Sequence, residues 1–487
     1  MLAYADRFGA VLRALSAFEH ELLLFAAVWL AIGALDELAV DGLWLRLVLT
    51  GRGRARWLAA GAADGPPAPL RGVAAVLVPA WHEAEVVGAM LTHTLSAWPQ
   101  RDLRIYAGCY RNDSQTLAAM IAAARDPRLR IVVHAADGPT TKADCLNRLY
   151  AALCEDERRG AFRARSVLLH DAEDMVHPAA LGALDAALGV DKNGADFVQV
   201  PVRPEPQPRS RWIAGHYADE FAEAHARAMV VRDWLGIGLP SAGVGSAFSR
   251  ASIDLLAARR DSRQPFAAEC LTEDYECGLL IGEMGARARF LRLRGPDGDL
   301  VATRAYFPAD LGAAIRQKTR WLHGIAFQGW DRLGWNGGWC ELWMRMRDRR
   351  GPMIAVVLAV AYMLMLLWPV LWLGEWLGLV EPAPYGWLLR ALLAFNLGNL
   401  VWRLVMRFVF TTREYGWREG VLAVFRVHVS NVIAIIAGRR ALFAYVRSLR
   451  GGVVRWDKTT HTLHPALIGG PAPMPIVVPR ALSGSSG

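Results

Sequence analysis

The stretch VAAVLVPAWHEAE, residues 73–85, sets the reading of the chain. It opens with eight uncharged residues rich in Val and Ala, enough for a strand buried on both faces. It then turns polar at Trp81–Glu83, and a helical pattern follows over Ala84–Ser96. The same theme recurs at LRIYAGCY (103–110), LRIVVHA (129–135), SVLLHDA (166–172) and DFVQVPV (196–202). Helical patterns lie between them at Ser114–Ala124, Lys142–Cys154 and Pro178–Leu188. Strands alternating with helices predict an α/β domain with a mostly parallel sheet. Such sheets place their chemistry beyond the C-terminal ends of the strands, so the polar residues closing each strand are the candidates.

The composition adds a second requirement. Of 487 residues, 54% are hydrophobic and only 21% charged, which demands membrane segments beside a soluble body. The net charge is +9, and much of the Arg excess flanks the apolar runs. That favours membrane topology over nucleic acid, and no zinc-finger or RNA-binding signature is present. The six Cys form no CxxC pair and no regular framework, so they read as reduced thiols.

The boundaries follow from these patterns. Residues 1–60 are a retained anchor with a basic flank, its apolar run at 22–38 short for a span. Residues 61–71 are a Gly/Pro linker, and 72–325 the α/β domain. Residues 326–352 are Trp- and Arg-rich, and 353–411 are two long apolar runs about a Pro-containing turn. Residues 412–450 hold a run with Arg426, His428 and Asn431, expected as an interfacial or re-entrant helix because polar groups are costly in lipid. Residues 451–468 carry WDKTTH, and 469–487 read as a disordered tail. The basic flanks put the α/β domain on the cytosolic side.

Four clusters carry candidate chemistry. In HDAEDMVHP (170–178), Asp171, Glu173 and Asp174 crowd together; like charges so close call for a cation, and hard oxygens suit Mg²⁺ or Mn²⁺. A solvated acidic turn is the alternative. In LTEDYE (271–276), Asp274 is placed to act as a general base, or else to decorate a helix start. Asp113 in YRNDSQT is either a ligand for a base or ribose, or a helix N-cap. Lys142 and Arg320 suit phosphate oxygens, and Trp321 suits a sugar face.

Taken together and in order, these pieces resemble the family 2 glycosyltransferases of GT-A fold, the group of cellulose, chitin and hyaluronan synthases. The pieces are VPAWHE, Asp113, Asp171-Ala172-Glu173-Asp174, Thr272-Glu273-Asp274 and Gln317-x-x-Arg320-Trp321. HDAED and WDKTTH look most like the bacteriophage adsorption protein B type. The resemblance implies an inverting, metal-dependent transfer of a hexosyl or N-acetylhexosaminyl group from a nucleotide sugar, by default a UDP-sugar. Asp274 is implied as the catalytic base. Pro79, Ala80, Glu83, Asp113, Lys142, Asp171, Arg320 and Trp321 are implied for the donor. Lys458, Thr459 and His461 join them from a loop of the gating kind. Glu273, Gln317, Trp321, Gly243 and Gly245 are implied for the acceptor. The metal, Mg²⁺ or Mn²⁺, falls to Asp171 with Glu173 or with Asp174. His82 stands where the family usually has Asn.

The implied setting is a multi-pass protein of the bacterial inner membrane making exopolysaccharide on a growing glycan or a lipid-linked acceptor. Few spans leave little room for a channel in one subunit, so an outer-membrane export partner or a homo-oligomer would complete it. Longer relatives carry a C-terminal domain sensing cyclic di-GMP, which this chain is expected to lack. Transfer of one sugar to a lipid carrier, and a non-catalytic membrane receptor, are the competing functions.

Overall fold

The computed structural model describes residues 2–58, 68–189, 194–295, 298–381, 384–451 and 463–467. WDKTTH, with Trp456, Lys458, Thr459 and His461, lies outside them, as does the tail from 469.

The expected alternation forms one seven-stranded sheet. Its strands are β1 (Val73–Pro79), β2 (Leu103–Tyr110), β3 (Leu129–His134), β4 (Ala164–Leu169), β5 (Phe197–Gln199), β6 (Ser246–Ser249) and β7 (Ala288–Phe290). The spatial order is β3-β2-β1-β4-β6-β5-β7. β1 pairs in parallel with both β2 and β4, whereas β6 runs antiparallel between β4 and β5. Residues 239–248, LPSAGVGSAF, run from a loop into β6.

The helices α1 (Leu2–Leu49), α2 (Val87–Ala97), α3 (Ser114–Ala123), α4 (Lys142–Arg159) and α5 (Ala180–Ala187) come first. Then follow α6 (Ile213–Glu223), α7 (Met229–Leu235), α8 (Arg250–Ala258), α9 (Glu273–Glu283) and α10 (Leu311–Leu322). The last are α11 (Gly329–Leu333), α12 (Trp339–Arg349), α13 (Gly351–Trp376), α14 (Trp387–Tyr415) and α15 (Trp417–Leu449).

The near-continuous apolar run of β1 now has its reason. Val76 and Val78 point into a core with Ile105, Met90, Trp98 and Leu181, while Ala75 and Leu77 point into a second core with Leu149, Phe197 and Ile281. Both faces are covered, so neither can be polar. Each such side chain contributes about 1.5–3 kcal/mol on burial.

Among the described residues, four helices are long and apolar enough to cross a membrane by length and composition: α1 from Gly9, α13, α14 and α15. The run 22–38 is only the middle of α1, whose charged lower part is neutralised in place. Asp36, Glu37 and Asp41 face Arg347, Arg350 and Arg403, with Arg227 reaching in from the catalytic side. Arg227 Nη2 lies 2.6 Å from Glu37. This cluster locks the α/β domain to the apolar helices.

α15 differs from α13 and α14. Arg426 is buried, its guanidinium bonded to Asp219 of α6 at 2.9 and 2.7 Å. Further along, Ile433 packs on Tyr217, Ala314 and Ile315, and Tyr445 stacks on Phe327 with ring centroids 4.6 Å apart. From residue 426 to residue 445 the helix advances roughly 28 Å, touching the α/β domain at both ends of that length.

Candidate active site

β4 delivers the acidic turn. After Leu169 the chain bends, and the buried Asp174 closes the bend: its Oδ2 accepts from Asp171 N at 2.9 Å and meets His170 Nδ1 at 2.8 Å. Burial pushes the Asp174 carboxyl above its ordinary value, and His170 pulls it back. This leaves Asp171 aimed at the pocket, where its Oδ1 lies 2.6 Å from Lys142 Nζ. Glu173 lines the same pocket. Among the described residues no three His, Cys, Asp or Glu side chains converge on one metal-sized point. Two carboxylates on one turn still fit Mg²⁺ or Mn²⁺, since these ions complete their shells with substrate phosphates and water. Asp171 with Glu173 is therefore the better matched of the two expected ligand pairs.

Lys142 opens α4 behind the N-cap Thr141. Burial pulls its ammonium down, but Asp171, Glu273 and Asp274 together hold it well above the usual lysine range. It remains charged and faces both acidic motifs.

α9 delivers the second motif. Thr272 packs so closely on Gly324 that a side chain at 324 would collide with it. Asp274 Oδ1 accepts from Tyr275 N at 2.8 Å. Its other oxygen occupies the space a Cβ on Gly243 would need, and Gly243 sits at φ +73°. Gly243 is thus required twice, for its backbone angle and for the carboxylate beside it. Burial raises Asp274 and Lys142 opposes the rise. Glu273 is pushed up to about 8, by burial first and then by Asp274. Two neighbouring buried carboxyls disfavour ionising together, so the pair titrates as a unit. Glu276 is different: Arg260 and Arg332 clamp it at 2.7 and 2.5 Å, and hold it below the carboxylate range against the cost of burial.

α10, capped by Asp310, brings Gln317, Arg320 and Trp321 to the same pocket, which has a volume of about 380 Å³. Gln317 Oε1 is buried with no partner among the described residues. Trp321 stands edge-on to Tyr217 at 6.1 Å, and Lys318 Nζ lies 5.0 Å from the Trp321 ring. A π-helical turn, His323–Gln328, follows directly; such turns concentrate at functional sites.

Other expected residues fall elsewhere. Pro79 and Glu83 line the pocket, but Ala80 belongs to the core. Asp113 is the N-cap of α3, accepting from Thr116 N at 3.3 Å, and also takes His82 N at 2.6 Å. It therefore shapes the 81–83 loop from behind. His82 has φ +54°, a left-handed backbone in which Asn and His are both enriched. Gly245 backs onto Thr303 and Val200, away from the pocket.

Gln199 was not singled out in the sequence. Its Nε2 donates to Val244 O at 2.8 Å, and its Oε1 accepts from Ala242 N at 2.9 Å and Ser246 Oγ at 2.7 Å. It holds the loop that carries Gly243. The signal was one polar residue ending the apolar strand FVQ.

A GT-A sheet with two acidic motifs, a buried lysine and Q-x-x-R-W around one pocket defines a glycosyltransferase domain. The chain belongs to the family described as glycosyltransferase like family 2, whose model matches residues 71–324. It is 33% identical over 414 residues to bacteriophage adsorption protein B of Escherichia coli strain K12, covering 80% of this chain and 54% of that protein. The chain thus spans about half the length of the curated relatives it matches. Among solved structures it is similar to the mannosyltransferase PcManGT from Pyrobaculum calidifontis in complex with GDP-Man and Mn²⁺. That likeness has 15% identity and a TM-score of 0.45, over 90% of this chain and 99% of that one. It is also similar to S. aureus TarS 1-349 in complex with UDP-GlcNAc, with 13% identity and a TM-score of 0.34, over 72% and 92% of the two chains.

Proposed function

We propose that this chain is an inverting glycosyltransferase that moves a sugar from a nucleoside diphosphate donor, by family likeness a UDP-sugar, to a glycan at the bacterial inner membrane, within exopolysaccharide synthesis. The observation that carries the reading is one pocket holding Asp274, the Lys142–Asp171 pair, Arg320 and Trp321.

The acceptor hydroxyl attacks the anomeric carbon of the donor from the face opposite the diphosphate. Asp274 takes the hydroxyl proton as the new C–O bond forms. The bond from that carbon to the phosphate oxygen breaks, its electron pair leaves with the nucleoside diphosphate, and the configuration inverts. Lys142 and Arg320 offset charge on the leaving oxygens. Glu273 lies beside the base on the acceptor side of the pocket, and Trp321 supplies a stacking face for the acceptor sugar. Asp171 and Glu173 would hold Mg²⁺ or Mn²⁺, which supplies Lewis-acid neutralisation of the diphosphate.

α1, α13 and α14 cross the bilayer in this reading. α15 lies along its cytosolic face, because its contacts with the α/β domain extend from Arg426 to Tyr445. So few crossings in one chain favour a second reading, in which one sugar is added to a lipid carrier. The test is release of nucleoside diphosphate from a panel of nucleotide sugars with Mg²⁺ or Mn²⁺. Asp274→Asn should abolish release while keeping donor binding. Undiminished turnover in that variant would remove Asp274 from the mechanism, and the length of a labelled product separates the two readings.

A further inference from the structure

A second cavity lies on the other side of the α/β domain, with a volume of about 1330 Å³ and seven arginines against three carboxylates in its wall. All three carboxylates are already engaged. Asp233 accepts from Arg289 Nε at 3.1 Å and from Phe290 N at 2.9 Å. Glu283 holds the buried Arg345 at 2.8 Å, and Glu341 takes Gly238 N at 3.1 Å. Arg52, Arg54 and Arg56, by contrast, have no side-chain partner among the described residues, and all three are exposed at the cavity. Three guanidinium groups within five residues repel one another unless an anion joins them.

Beyond the ion-pair cluster of Asp36 and Glu37, α1 continues roughly 18 Å to Leu49, packing Val40 and Leu47 against Val231 and Met344. Residues 50–56, which follow directly on that end of α1, bring Arg52, Arg54 and Arg56 to the cavity. Phosphate suits it, since guanidinium forks match phosphate oxygens in two-point contacts.

The cavity is joined to the catalytic pocket by two elements. α9 carries Asp274 at its first turn and Glu283 at its last. The loop after α7 lines the arginine cavity with Gly236–Gly238 and the catalytic pocket with Pro240–Ala242 and Val244. Helix and loop are in backbone contact: a Cβ on Gly282 would lie 2.7 Å from Gly238 Cα, and one on Gly278 would strike Leu239 O. They can only move together.

We infer that the arginine cavity is a second binding site, for a small soluble anion bearing two or more phosphates, and that its occupancy repositions the loop and helix holding Asp274. The inference goes beyond the proposed transfer and does not depend on it. Calorimetric titration of the full chain in nanodiscs with inorganic tripolyphosphate and with ATP tests it. The triple variant Arg52→Ala, Arg54→Ala, Arg56→Ala should keep its melting temperature and weaken one binding event at least tenfold. Lys142→Ala should leave that event intact. Tighter binding of ATP than of tripolyphosphate would assign a nucleotide, and the reverse an inorganic or sugar-borne phosphate. In hydrogen exchange, tripolyphosphate should protect 236–246 in the wild type but not in the triple variant. Unchanged titration of the triple variant overturns the site. Preference for a poly-glutamate peptide overturns the small-anion assignment, and unchanged exchange overturns the coupling.

Discussion

The turn at 170–174 and the helix start at 272–276 are two solutions to one problem, three acids within a few residues. In each, one carboxylate is clamped by partners within the protein, and the other two line the pocket. Asp174 is spent on His170 and the Asp171 amide; Glu276 is spent on Arg260 and Arg332. The remaining acids, Asp171 and Glu173 on one side and Glu273 and Asp274 on the other, face the same pocket with Lys142 between them. The two motifs differ in what neutralises them. Asp171 has a cation at 2.6 Å, whereas Glu273 and Asp274 share burial and raised affinities for protons. One set already faces a cation, and the other is poised to exchange a proton.

The largest expected effect breaks the second motif. Asp274→Asn should lower turnover by about 10³-fold, in the range of general-base catalysis, with donor affinity nearly unchanged in equilibrium binding. Next, Asp171→Asn should weaken metal-dependent donor binding by roughly 10–100-fold or more, read by titrating Mg²⁺ or Mn²⁺ against donor affinity. Donor binding that ignores metal in both proteins would count against the cation role. Glu276→Gln strips charge from a buried two-arginine clamp and should cost about 3 kcal/mol of stability by denaturant unfolding, with donor affinity kept in the folded fraction. A catalytic defect without destabilisation there would blur the division between the clamped and the pocket-lining acids.

The smallest effect sharpens the comparison through pH. Glu273 in the folded protein titrates near 8, above its ordinary 4.5. Its contribution to stability is complete below 4.5 and is lost as pH rises through about 8. Without divalent metal, the melting temperature should fall between those values, and Glu273→Gln should remove that part of the fall. Asp171→Asn should leave most of it, because Asp171 contributes only a minor share of the Glu273 shift.

Much of this was legible in one dimension. The strands at 103–110 and 129–134 and the helix starting at Ser114 fall where periodicity puts them, because burial on both faces leaves strong local signals. Q-x-x-R-W and the two acidic motifs could be picked by residue type. The division of labour inside each motif could not. Asp113 and Asp274 are both acids at a helix start, but one caps α3 and braces His82 while the other faces the pocket. Gln199 was silent because a single polar residue at a strand end has many ordinary uses. α15 was ambiguous because an apolar run with Arg426 reads alike whether its arginine meets water or, as here, Asp219.

The sequence by itself determined the alternating α/β core, the apolar helices and the presence of acids enough for metal and proton chemistry. These depend on composition and spacing along the chain. Only the tertiary structure decided which acids are clamped by arginine or histidine, that Gly243 makes room for Asp274, and that Lys142 stands between the two motifs. Those outcomes depend on partners up to about 130 residues away, on whether a carboxylate's charge is already matched, and on how deeply it is buried.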